Sequence, residues 1–150
     1  MTAKIYLDDL SPGDTYRSGT YTVSEEQIIA FASEFDPQVF HLDPVAARET
    51  FFQGLAASGW HTAAITMRLL VTSGMPIANG LIGAGSEVSW PLPVRPGDTL
   101  HVVSTILDVR RSTSKPDRGF ATCLSETFNQ NGEVVQRSKA KLFVLRRPTS

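Results

Sequence analysis

Only one cysteine, Cys123, occurs in the 150 residues, so no intrachain disulfide can form and no cysteine-rich zinc module can be assembled. That usage fits a reducing compartment and predicts a cytoplasmic protein. No stretch approaches the roughly 20 apolar residues that a bilayer-spanning helix needs. The opening MTAKIYLDDLSPGD has no apolar run of the kind a secretory leader carries. An excess of either charge is missing too: 14 basic residues face 15 acidic ones, for a net charge of -1. Such a chain sets up no long-range field to gather nucleic acid or an anionic membrane surface. The three histidines show no metal-binding spacing such as His-Glu-x-x-His, which predicts no metal. There is no Gly-x-Ser-x-Gly elbow. The glycine-rich GLIGAG (80–85) leads into a strand pattern and not a helix, which argues against nucleotide binding. No repeat, low-complexity tract or linker interrupts the chain, and one domain over residues 1–150 is expected.

What is present is well patterned. VSEEQIIAFASEF (23–35) reads as a helix: Ser24 and Gln27 form a capping box, and Ile28, Phe31, Ala32 and Phe35 recur at helical spacing as one buried face. Asp36-Pro37 stops it, because a residue before proline avoids the helical region. DPVAARET (43–50) reads as a second, short helix capped by Asp43, with Pro44 in its first turn. SGWHTAAITMRLLVTSG (58–74) is apolar over nearly its whole circumference, with Arg68 its one charge, which predicts a helix surrounded by other elements. Beyond Pro76 the period changes to two. Strands are expected at 81–90, 99–109, 120–128 and 134–145, with Asn131-Gly132 turning the last pair. One more strand is expected near 14–23. Short turns between successive strands imply an antiparallel sheet. The fold class is therefore α+β: about five antiparallel strands curled around one long helix, which is the hotdog arrangement.

One stretch raises a chemical question. In FDPQVFHLD (35–43), Asp36 and His41 are the groups able to handle protons, and Phe35, Pro37, Val39 and Phe40 keep them partly dry. Desolvation of that kind predicts a raised pKa for Asp36.

This stretch, followed at about a dozen residues by ASGWHTAA, resembles the MaoC-like hydratases and dehydratases, among them the R-specific enoyl-CoA hydratases. Their motif runs roughly Asp-x-Asn-Pro-(Leu/Ile)-His-x-Asp, and Asp36, His41 and Asp43 fall on it without a gap. Gly59 falls on the glycine that opens the central helix. PVRPGDTL and the final strands also look familial. Departures occur at Gln38, Val39, Ser58 and Met67, where the family commonly carries Asn, Pro, His and Ser, and those at 38, 39 and 67 bear on acyl specificity.

The resemblance implies that Asp36 and His41 grip one water between them, with Asp36 favoured as the base and His41 orienting the water and aiding proton delivery. It also implies that an N–H at Gly59, on the positive end of the central helix, accepts the charge of an enolate oxygen. The implied substrate is an acyl-CoA thioester, with no cofactor beyond that coenzyme A. Phe40, Ser58, Trp60, Arg95 and Arg118 are the expected substrate contacts. Arg95, Arg110, Arg111, Lys115 and Arg118 form either a solvated rim or a contact to coenzyme A phosphates. His61 reads as a core or interface histidine, His101 as exposed or structural, and Cys123 as a small buried hydrophobe.

Two alternatives stand beside hydration: thioester hydrolysis on the same fold, and a non-catalytic acyl-CoA-binding subunit. The absence of Asp and Glu from 58–74 argues against the first, and retention of Asp36 and His41 against the second. The family further implies a homodimer joined edge to edge, with Trp60 and His61 near the seam.

Overall fold

The computed structural model describes residues 3–149. Its one sheet is antiparallel throughout, built from β1 (Thr15–Thr22), β2 (Ile82–Ser89), β3 (Thr99–Arg111), β4 (Arg118–Phe128) and β5 (Val134–Leu145). The strand order is β1-β3-β4-β5-β2, which leaves β1 and β2 as edges. The β4–β5 hairpin turns at Asn129–Glu133, where Gly132 takes φ 74°, a conformation glycine reaches without strain.

Helix α1 (Glu25–Phe35) begins with the expected capping box: Gln27 N–H donates to Ser24 Oγ, and Ser24 N–H donates to Gln27 Oε1. Ile28 and Ala32 are buried, but Phe35 is 65% exposed, so the buried face is narrower than the spacing predicts. The next segment differs more. Val39–Leu42 forms one helical turn, α2, and His41 rides on it; Ala46–Glu49 is a 3-10 turn and not an α-helix. Asp43 does cap that turn, its Oδ1 accepting from Val45 and Ala46 N–H.

The central helix is α3 (Gly59–Leu69), which continues as a five-residue π segment, Leu70–Gly74. The inner face of the sheet presents small side chains along β4. Gly119, Ala121, Cys123, Ser125 and Thr127 alternate inward along that strand. His61, Thr62, Ile65, Thr66 and Leu69 face them and the buried Leu100, Val102 and Ile106 of β3. Hydroxyls that would otherwise lose water are paired, one pair between helix and sheet and one between β3 and β4. Thr66 Oγ1 lies 2.6 Å from Thr127 Oγ1, and Ser104 Oγ lies 2.8 Å from Ser125 Oγ. Cys123 is buried, with its Sγ 3.7 Å from Met75 Sδ.

The helix is not surrounded on all sides, however. Trp60, Ala64, Met67 and Val71 form an exposed stripe along it, so an apolar circumference did not mean cover from the chain's own sheet. Gly119 marks a tight point away from the helix, where β4 meets Leu7 and the end of β3. A Cβ there would sit 2.2 Å from the Arg110 carbonyl oxygen and 2.6 Å from Leu7 Cδ2. Gly119→Ala should therefore destabilise the fold by about 1–3 kcal/mol, the usual cost of overpacking, read as a lowered midpoint in thermal or urea denaturation.

Candidate active site

The stop at Asp36-Pro37 turns the chain off α1, and one helical turn later α2 brings His41 back toward the aspartate. His41 Nε2 lies 3.2 Å from Asp36 Oδ2. The other ring nitrogen, Nδ1, lies 2.6 Å from the Ala56 carbonyl. A carbonyl only accepts, so the proton sits on Nδ1, and in the neutral ring the Nε2 lone pair is presented to the carboxylate. The imidazole is buried at 4% exposure, with the Phe40 ring edge-on at 4.6 Å and Phe52 at 6.0 Å.

Asp36 behaves differently from the sequence expectation. Desolvation does push its pKa upward, but it is outweighed by a hydrogen bond from Gln38 Nε2 at 2.6 Å, the neighbouring Ser58 hydroxyl and the charge His41 can carry. The net displacement is below the ordinary carboxylate value. Asp36 is thus held ionised, as an acceptor facing an acceptor.

A cleft of about 600 Å³ opens beside His41, and Asp36 lies just behind its lining. His41, Gly59 and Thr62 form its floor, Phe51–Gln53 one wall, and Trp90–Arg95 the other. Ser58 caps α3 and is fully buried, its Oγ accepting from Trp60 N–H. The Gly59 N–H, at the positive end of α3, donates to no group among the described residues. Glycine is needed here for a reason the sequence does not reveal. A Cβ would meet the Trp90 indole at 2.7 Å, and that indole is held by its Nε1–H donating to Gln136 Oε1 at 2.9 Å.

The remaining expected contacts divide. Phe40 lies behind His41, not on the cleft surface. Trp60 is 62% exposed and stands edge-on to Trp90 at 5.2 Å, outside the cleft lining. Arg95 is on the wall, but its guanidinium donates to the Leu55 and Phe52 carbonyls. Arg118 is not brought to the cleft. It starts β4, where Gly119 pairs with Arg111 at the end of β3 opposite the turn that holds Arg95. There it pairs with Asp117 and covers the Phe143 ring. The basic residues therefore form no single cluster within one chain. Arg110 pairs with Asp108 at that same distant end. His61 stacks on Phe31 at 4.6 Å, its Nδ1 unpartnered, and burial pushes it below the usual histidine value. His101 stacks on Phe128. Phe51, Phe52, Thr62, Trp90 and Leu92 were not anticipated. The available signal was FFQG beside WPLP, two short aromatic stretches flanking the central helix.

A family model described as MaoC like domain matches residues 9–125. Protein YdeM of Bacillus subtilis is 32% identical over 143 residues, covering 93% of this chain and 99% of that protein. The crystal structure of a MaoC-like dehydratase from Rhodospirillum rubrum superposes with a TM-score of 0.95 at 62% identity, covering 97% of this chain and 99% of that one. The R-hydratase PhaJ1 from Pseudomonas aeruginosa, unliganded, gives 0.76 at 25% identity over 96% of this chain and 88% of its own. By the extent of the model match and by these likenesses, carried on a hotdog sheet around one helix, the chain belongs to the MaoC-like dehydratase domain family.

Proposed function

We propose that the protein adds water across the double bond of trans-2-enoyl-CoA thioesters to give (R)-3-hydroxyacyl-CoA, or runs the reverse dehydration. One observation carries this reading. Two proton acceptors, Asp36 Oδ2 and His41 Nε2, face each other at 3.2 Å, with His41 on the floor of a cleft whose lining also holds Gly59 and its unpartnered helix-terminal N–H. A water resting on both acceptors would donate one hydrogen to each and turn a lone pair to the β carbon.

In the forward direction Asp36 takes a proton from that water as its oxygen bonds to the β carbon. The π electrons move toward the thioester and leave an enolate, whose oxygen accepts a hydrogen bond from the Gly59 N–H. The Asp36–His41 pair returns a proton to the α carbon, so one water is consumed and nothing else. The depressed pKa of Asp36 keeps the carboxylate ionised but makes it a weak base, so its role rests on position. Hydrolysis is less well supported, since α3 and its extension contain no Asp or Glu. Coenzyme A is the carrier assigned to the substrate, and the cytoplasm is the assigned compartment; no helix among the described residues is long and apolar enough to cross a membrane.

A homodimer belongs to the same proposal. The edge strand β2 is exposed along most of its length, and the Trp60–Val71 stripe needs cover. A second copy meeting both about a two-fold axis would provide it. Sedimentation of dilute protein should show a species of twice 16.4 kDa. A 16.4 kDa species that still hydrates substrate would remove the dimer from the model.

With crotonyl-CoA, enoyl absorbance should fall without release of free thiol; thiol release would point to hydrolysis instead. Asp36→Asn and His41→Ala should each keep the fold and lose at least about a hundredfold in turnover, the scale of a positioned acid or base. Because Asp36 stays ionised below the ordinary carboxylate range, loss of activity on moderate acidification should not trace to its protonation. A pH–rate profile whose acid limb vanished in Asp36→Asn but survived in His41→Ala would contradict that.

Gly59→Val should displace the Trp90 indole, seen as a change in tryptophan emission, and cost about a hundredfold or more in turnover. If the emission changes while turnover holds, the enolate oxygen is bound elsewhere.

A further inference from the structure

We propose that Arg95 is a positioning residue for the His41 imidazole and not a contact to coenzyme A phosphates; the proposal rests on the hydratase reading above. Its guanidinium spans two backbone carbonyls of one segment, with Nη1 donating to Leu55 O at 3.2 Å and Nη2 to Phe52 O at 2.5 Å. The base of the side chain is equally well held. Arg95 N–H donates to Asp98 Oδ2 at 2.9 Å, and the buried Asp98 also accepts from Gln130 Nε2 at 3.0 Å. Val23 N–H in turn donates to the Asp98 carbonyl. The PVRPGD turn is thus a fixed post at the end of the sheet, and Arg95 is the arm that reaches from it.

What the arm holds is the segment on which His41 depends. Ala56 O, one residue beyond Leu55, fixes the Nδ1 proton, and Ala56 N–H donates to Phe40 O beside the histidine. Phe52 packs on Phe40 at 5.0 Å and lies 6.0 Å from the imidazole. The tautomer and the orientation of the ring therefore both hang from residues 52–56. That stretch is not self-supporting. Gln53 takes φ 56°, a left-handed conformation costly for a residue with a Cβ, which persists only where surrounding contacts over-determine it. A Cβ on Gly54, at φ 159°, would come within 3.3 Å of Arg95 Nη1, so the chain wraps closely around the guanidinium. A planar fork with donors at fixed angles can bridge two carbonyls in this way, and a single ammonium cannot.

The test compares wild type, Arg95→Ala and Arg95→Lys, with melting curves to confirm folding, on crotonyl-CoA and on crotonyl-pantetheine, which has no phosphate. Positioning predicts that both variants lose about 10–100-fold in kcat, equally on the two substrates and with KM little changed, the scale of a misplaced catalytic group. It also predicts that nitrogen–proton NMR of the His41 ring shows a single Nδ1–H tautomer in wild type and a mixture in the variants. A loss confined to crotonyl-CoA and expressed in KM, with Arg95→Lys near wild type, would overturn the proposal in favour of a phosphate contact. Unchanged ring signals would also overturn it. Should wild type fail to hydrate either thioester, the hydratase reading falls, and the ring spectra alone decide the role of Arg95. If Arg95→Ala does not fold, Arg95→Lys carries the comparison.

Discussion

A single curved sheet can cover only one side of a helix, and this limit shapes most of what surrounds α3. The covered side is set by β4, whose inward positions carry nothing larger than threonine between Gly119 and Thr127. From there Thr127 meets Thr66 of the helix, hydroxyl to hydroxyl. The uncovered side is left with Trp60, Met67 and Val71, large apolar groups that stay exposed. The N-terminus of the helix comes to the surface where the sheet ends, and there the loops after α1 and β2 close around it. Site and open flank are thus two results of one packing arrangement.

Electrostatics at the site follow from short-range contacts more than from burial. His41 is deeply enclosed, yet its polarity is assigned by one carbonyl. Asp36 is partly dry, yet one amide from Gln38, two residues away, and the hydroxyl of Ser58 keep it charged. A carboxylate held this way is always ready to accept a proton but is a weak base, so catalysis would draw on position and on the developing enolate charge more than on basicity.

Much of this was legible in the residues. Ser24 and Gln27 announced the start of α1, and strict alternation located β3, β4 and β5 within a few residues. The pairing of Asp36 with His41 could be read from their motif. Other features depended on geometry that spacing does not carry. Val39–Leu42 is too short to show a helical period, so the turn that carries His41 is not visible in the residues. The direction of the Asp36 shift turned on Gln38 folding back, which a string of neighbours does not reveal. Arg95 and Arg118 look close as members of a basic set, but the β3–β4 hairpin carries them to opposite ends of the sheet. An all-apolar helix looks the same whether its cover is internal or supplied by another molecule. The need for glycine at 59 likewise depends on Trp90, which is remote in sequence.

The hydroxyl pair between Thr66 and Thr127 has a consequence for inheritance. Each oxygen is shut away from water, and each is satisfied by the other across a separation of 61 residues. Loss of one hydroxyl strands its mate in an apolar seam, whereas replacing both by apolar groups of similar shape can be close to neutral. The two positions are therefore not free to drift independently. Among descendants of this chain they should be found either both polar or both apolar, and mixed combinations should be short-lived intermediates.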